Sequence, residues 1–259
     1  MENKRSFELR EDIDNRLREK TIKTLFVFFI ILLFITLGFI WLKYEIEGTK
    51  GLTFEIKEIL IISTADGKRI ENKNKNIKTD KLEVSQVNDF FITIEEKDNI
   101  NLDNSIKKIS IANFDIQEEP KKGNLNALEP TGPLSQLFVN SKKNYLDKEI
   151  EFKGAKVDDL EQLETSSKGG TVAFRIENKL GSYDVKKEEV LEYNSKLLNK
   201  FVKNVEDIQF KLSFDLIIEL DNGFKYSTKI NVNKPSKEIL KEDKLIHNMD
   251  VEEISFKKI

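Results

Sequence analysis

Residues 208–232 read IQFKLSFDLIIELDNGFKYSTKINV. From Ile208 to Leu220 every second residue is apolar: Ile208, Phe210, Leu212, Phe214, Leu216, Ile218 and Leu220. Gln209, Lys211, Ser213, Asp215 and Glu219 stand between them, with Ile217 as the apolar exception. Successive side chains on a strand point to opposite faces, so this pattern predicts one buried face and one mostly wet face. Asp221-Asn222-Gly223 follows, a run of residues that tolerate the positive φ of tight turns. Phe224, Tyr226, Thr228, Ile230 and Val232 then alternate again. The stretch is expected to be a long antiparallel hairpin.

Working outward, the same period marks shorter strands. TVAFRIEN alternates at Val172, Phe174 and Ile176 and is expected to end in a turn near Gly181, while Gly169-Gly170 reads as a turn before it. Ile150 and Phe152 mark another strand, and the C-terminal VEEISFKKI is expected to close a sheet. Val190, Leu197 and Phe201, with Leu191, Leu198 and Val202 beside them, form a helical stripe. That spacing predicts one amphipathic helix over 187–200, covering a sheet face or end.

Nearer the N-terminus, GLTFEIKEILIIS, a turn at Asp66-Gly67 and a return through Ile70 read as a second hairpin. It weakly echoes the first, as two ordinary hairpins or as duplicated domains. DFFITIEE and IKKISIANFDI read as further strands, and ENKNKNIKTDK at 71–81 as an exposed loop. Pro120, Pro130 and Pro133 share EEPKKGNLNALEPTGP with Gly123 and Gly132. Proline removes a donor and glycine loosens the chain. Residues 119–139 therefore read as a linker between a β-rich lobe at 50–118 and another at 140–259, or as a long connection inside one sandwich.

Residues 25–42, LFVFFIILLFITLGFIWL, carry no charge over 18 positions. As a helix they span about 27 Å, close to the roughly 30 Å hydrocarbon core of a bilayer. The run is long for a cleaved signal peptide, and no small-residue site follows it. An uncleaved transmembrane helix is expected. Lys4, Arg5, Arg10, Arg16, Arg18, Lys20 and Lys23 precede it, against Lys43 and Lys50 beyond it. That bias places the N-terminus in the cytoplasm and the C-terminus outside the plasma membrane. Trp41 and Tyr44 suit the outer interface. The cytoplasmic tail, 1–24, pairs Asp12 with Arg16, Asp14 with Arg18 and Glu19 with Lys23 at helical spacing. The expected fold class is thus mainly β, as antiparallel sandwich-like lobes with one covering helix, behind a single N-terminal transmembrane helix.

Composition narrows the function more by exclusion than by sign. The 259 residues carry a formal charge of -3, with +1 on residues 1–24 and -4 on the rest, so no nucleic acid is expected as a partner. There is no cysteine and one histidine, His247, in the polar stretch KEDKLIHNMD, read as a loop residue without a role. Zinc and copper chemistry lack ligands, and no G-x-S-x-G nucleophile turn exists. The oxygen-rich run at Asp98, Asn99, Asn101, Asp103 and Asn104 lacks the glycine and glutamate of an EF-hand loop. VDDLEQLE and NVED read as solvated turns.

No catalytic, cofactor-binding or metal-ligating residue is singled out, and no cofactor is expected. The expected partners are the membrane lipid bilayer and an envelope protein. The expected function is a non-catalytic interaction or scaffold protein of the cell envelope. The alternatives are a signalling or regulatory subunit that senses through its outer domain, and an anchored hydrolase working through carboxylates.

Overall fold

The computed structural model describes residues 18, 20–42, 52–74, 77–97, 105–132, 137–138, 141–153, 165–252 and 254–259. The chain divides into two compact units, Met1–Gly51 and Leu52–Ile259. The first carries helix α1, Lys20–Leu42, long and apolar enough to cross a membrane. Thr24 and Thr36 turn their hydroxyls back to the carbonyls of Lys20 and Leu32, so polar side chains on the apolar helix are satisfied locally. The expected helical tail lies mostly outside the described residues.

The second unit is an antiparallel β-sandwich. In chain order its strands are β1 (Phe54–Ile70), β2 (Thr79–Glu96), β3 (Ile106–Glu118), β4 (Asn124–Leu128), β5 (Ile150–Lys153), β6 (Thr165–Ser166), β7 (Gly169–Lys186), β8 (Phe210–Leu220), β9 (Lys225–Lys234), β10 (Lys244–Met249) and β11 (Lys257–Lys258). One sheet runs β10-β1-β2-β7-β4, with β6 also on β7, and the other runs β11-β9-β8-β3-β5. The hairpin expected at 208–232 is β8–β9, paired from Phe210↔Lys234 to Glu219↔Lys225. The strands expected at 89–96, 106–116, 150–152 and 171–178 are all present. The C-terminus closes a sheet, with Lys257 and Lys258 opposite Ser227 and Tyr226.

Apolar alternation on both sheets makes one core between them. Phe90 and Phe174 from the first sheet stack at 4.6 Å, and Phe214 from the second meets Phe174 edge-on at 5.0 Å. A second cluster at one end joins Leu82, Val84 and Val185 to Leu197, Leu198, Val202 and Ile208. Between the clusters the inward row turns polar. Ser63 donates to Asn88 at 2.6 Å, and Asn88 and Gln86 bond each other at 3.2 Å, so these buried groups are partnered.

Five expectations are corrected. Residues 119–139 are not a boundary but lie inside one sandwich, the second of the two readings: both sheets take strands from 50–118 and from 140–259, and β4 lies inside the proline-containing stretch. Asp66-Gly67 is not a turn, because β1 continues to Ile70, so the echo of a second hairpin disappears. Asp66 caps the Gly67 N–H at 2.7 Å within the strand, and a Cβ on Gly67 would lie 2.6 Å from the Tyr193 ring. The glycine serves close packing there. The turn lies within 71–78, shorter than the expected loop, since β2 starts at Thr79.

β7 likewise runs through Gly181 without turning. Val84 opposes Gly181 and Ser85 opposes Lys179, which leaves Leu180 as a bulge, and Gly181 takes φ 147 beside it. Finally, the expected helix over 187–200 is confined to α2, Ser195–Leu198, capped by Asn194. Residues before it are held in other bonds. Lys187 N–H donates to the Lys78 carbonyl, and the Arg69 guanidinium donates to the carbonyls of Lys187 and Glu189. Val190 is 91% exposed rather than on a buried stripe.

On the outer face of the second sheet, Glu219 lies between Lys107 at 2.6 Å and Lys225 at 3.2 Å. Hydrogen bonds from these two ammonium groups hold its carboxyl below the usual carboxylate range. A depressed folded pKa means that the folded state binds fewer protons, so the contribution is present at neutral pH and lost as pH falls through that depressed value. Glu219→Gln is therefore expected to flatten the acid limb of the stability–pH curve below about pH 4.3, measured by urea unfolding. An unchanged acid limb would refute this assignment.

Candidate functional site

The outer face of the larger sheet carries a charged centre that strand geometry builds directly. Phe90 and Phe174 point into the core, so their neighbours Asp89 and Arg175 point out, and β2–β7 register sets these two residues opposite each other. Arg175 Nε donates to Asp89 Oδ1 at 2.6 Å and Nη2 to Oδ2 at 2.9 Å. Its Nη1 donates to Asp66 Oδ2 from β1 at 2.7 Å. The guanidinium thus bridges two carboxylates on two neighbouring strands in fork geometry.

Burial pushes the Asp89 carboxyl up, against the opposing pull of Arg175. For Arg175, burial acts to lower the pKa, but Asp89 and Asp66 outweigh it and hold the guanidinium above its ordinary value. The side chains of Arg175 and Asp89 are 16% and 18% exposed, whereas that of Asp66 is 47% exposed. Asp66 is therefore the member of the centre that solvent reaches.

The chain following β4 closes one end of this face. Thr131 and Gly132 N–H groups donate to the Leu137 carbonyl, and Ser141 N–H donates to that of Phe138. Leu137 and Phe138 pack with Leu128, Ala173 and Phe91 in a small apolar cluster. The Phe138 ring lies 4.6 Å from the Arg175 guanidinium carbon, within cation–π range.

Beyond that rim opens a cleft of about 1160 Å³. Its opposite end is polar: Ser85 donates to Glu177 at 2.8 Å, and Lys179 pairs with Glu177 at 3.6 Å. The described lining carries Asp66, Glu83, Asp89 and Glu177 against Lys68, Arg69, Lys142, Arg175 and Lys179, a near balance of sign. The two ends thus differ in character, one apolar and one ionic.

Both Asp89 oxygens accept from Arg175, and the Asp66 oxygens accept from Arg175 and from Gly67 N–H, so each carboxylate is oriented by a fixed donor. Among the described residues, no group of three or more His, Cys, Asp or Glu side chains is placed to hold a metal ion. His247, expected in a loop, lies on β10 opposite Ile61 and is exposed. Partial desolvation at the sheet edge and then Lys234 lower its pKa. Asp207 of NVED pairs with Lys122 at 3.0 Å. The runs at 98–104 and 157–164 lie outside the described residues.

Sequence reading missed Asp66, Asp89 and Arg175. The signal for Asp89 and Arg175 was a single acid and a single base in apolar strand runs, DFFITI and TVAFRI, while Asp66 sat in what read as a turn. Comparison with protein-family models, with curated proteins and with solved structures finds no match.

Proposed function

We infer that this chain is a non-catalytic interaction protein of the cell envelope. It is anchored by α1 as a single pass, with its N-terminus in the cytoplasm and its β-sandwich outside the plasma membrane. The sandwich binds a protein partner through the cleft on the larger sheet. The observation that carries this reading is the cleft's makeup. A rigid carboxylate–guanidinium–carboxylate centre stands beside an apolar rim, in a lining of nearly balanced charge. Such a mixture complements a protein surface carrying both signs and an apolar anchor, rather than a polyanion.

The reading is tested by affinity purification of the full chain from its native membranes in mild detergent, with mass spectrometry of what accompanies it. Lys68 and Lys142 line the cleft and are exposed, so Lys68→Glu/Lys142→Glu reverses charge in the cleft without touching the core. A stoichiometric partner is expected with the parent chain and a loss of at least about tenfold with the variant, the scale of one to two ionic contacts. Recovery of the bare chain, or of the same partner from both, would count against the proposal.

A further inference from the structure

The larger sheet has one edge that nothing described covers. At its β4 edge, Ala127 N–H is taken by Asn144 and its carbonyl by Tyr145 N–H. The edges of the other sheet are only four residues (β5) and two residues (β11) long. β10 is different: six residues, KLIHNM, paired to β1 on one side in unbroken register, without proline, glycine or bulge. Ile246 on it is 63% exposed. An uncovered edge strand presents unpaired backbone groups to another strand, which is why soluble β-proteins cover or blunt such edges.

We propose that β10 pairs antiparallel with β10 of a second copy of this chain, joining the two larger sheets across a two-fold axis at His247. The choice of occupant follows from charge. Lys244 opens the strand and Asp250 stands immediately past its end. Antiparallel self-pairing centred on His247 sets each Lys244 opposite the other copy's Asp250, a reciprocal ion pair at both ends. It also sets Leu245 opposite Met249 on the core side.

A two-fold perpendicular to the sheet matches only residues of one face, so the nearest competing registers are centred on Asn248, which sets Ile246 against Asp250 and runs past the strand's end, and on Ile246. The Ile246 register sets Glu242 against Asp250 and leaves Lys244 against Asn248. Parallel pairing loses the reciprocity altogether. Past Asp250 the chain turns, Ile254 N–H donating to the Val251 carbonyl, so the matched length ends where the complementary charges end.

The chain has no cysteine, so each introduced thiol is a unique probe. Full-length chains carrying His247→Cys, Ile246→Cys or Asn248→Cys are oxidised mildly with copper phenanthroline in membranes and resolved on non-reducing gels. Glu188→Cys, on an exposed turn, serves as the collision control. Residues directly opposite across strands lie within disulfide reach, and diagonal ones lie mostly beyond it. A disulfide-linked dimer at position 247, at least about tenfold above 246, 248 and the control, is expected.

Lys244→Glu should abolish the crosslink at 247, and Lys244→Glu with Asp250→Lys should restore it. A maximum at 246, crosslinking at 247 no greater than the control, crosslinking to a different protein, or failure of the charge swap to restore the dimer would each overturn the proposal.

Discussion

Phe214→Ala is expected to remove about 3–5 kcal/mol of folding stability, a large share of the roughly 5–15 kcal/mol that a folded domain possesses. Phe214 is fully buried on β8 and touches both members of the Phe90–Phe174 stack, at 6.0 and 5.0 Å. It is thus the residue of the second sheet that meets both rings of the pair, while Phe114, on the same sheet, lies 5.9 Å from Phe174 and from Phe214. Truncation forfeits the transfer energy of the ring, the edge-to-face contacts and the space left between two sheets that cannot collapse independently. Phe224→Ala, in the same hairpin but 45% exposed, should shift stability by about 0.5 kcal/mol or less. Urea unfolding of the full chain in detergent, followed by far-UV circular dichroism, separates the two. A cost below about 1 kcal/mol for Phe214→Ala would mean that the sheets are not held together at this point.

The hairpin that holds Phe214 was legible because its apolar residues recur at strict spacing two over 13 residues, from Ile208 to Leu220. What misled the reading were residues whose local signal and tertiary use diverge. Asp66-Gly67 has the composition of a turn, yet the aspartate caps the glycine inside a strand while the glycine admits the Tyr193 ring. The prolines around β4 suggest a linker, but that segment adds an edge strand to the larger sheet. The helical stripe from Val190 folds as a helix only at Ser195–Leu198, because Arg69 takes the Lys187 and Glu189 carbonyls that a longer helix would need.

The candidate site was less legible than the fold. Alternation does place Asp89 and Arg175 on the outward face. Nothing local says that β2 and β7, 86 residues apart at this pair, are neighbours in register. Asp66 comes from a third strand, 109 residues from Arg175. Register is a property of the assembled sheet, so a site made of cross-strand partners leaves no spacing motif in the chain.

Arg175→Met should cost about 3–5 kcal/mol at neutral pH, because it leaves the Asp89 charge buried without its partner. The pH dependence identifies the cause. Burial already raises the Asp89 carboxyl, and removing the guanidinium removes the pull against that rise. A raised folded pKa means that the folded state binds more protons than the unfolded chain. The stability of the variant is then highest below about pH 3.9, the unfolded value, and falls as pH rises through the folded one. The deficit relative to the parent chain should therefore be smallest near pH 4 and largest at pH 7. Asp89→Asn in the same background should recover most of it at pH 7, since the amide carries no charge to desolvate. A deficit independent of pH between 4 and 7, or below about 1 kcal/mol at pH 7, would show that the ion pair is not what this face depends on.

The double replacement Arg175→Met/Asp89→Leu then separates architecture from recognition. Apolar replacement of a buried ion pair is often neutral or stabilising by about 1–4 kcal/mol, so this variant is expected to fold. Loss of the co-purifying partner from a fully folded double variant would assign the centre to binding. Retention would show that the centre is not needed for binding, and would move recognition to the exposed lysines of the cleft.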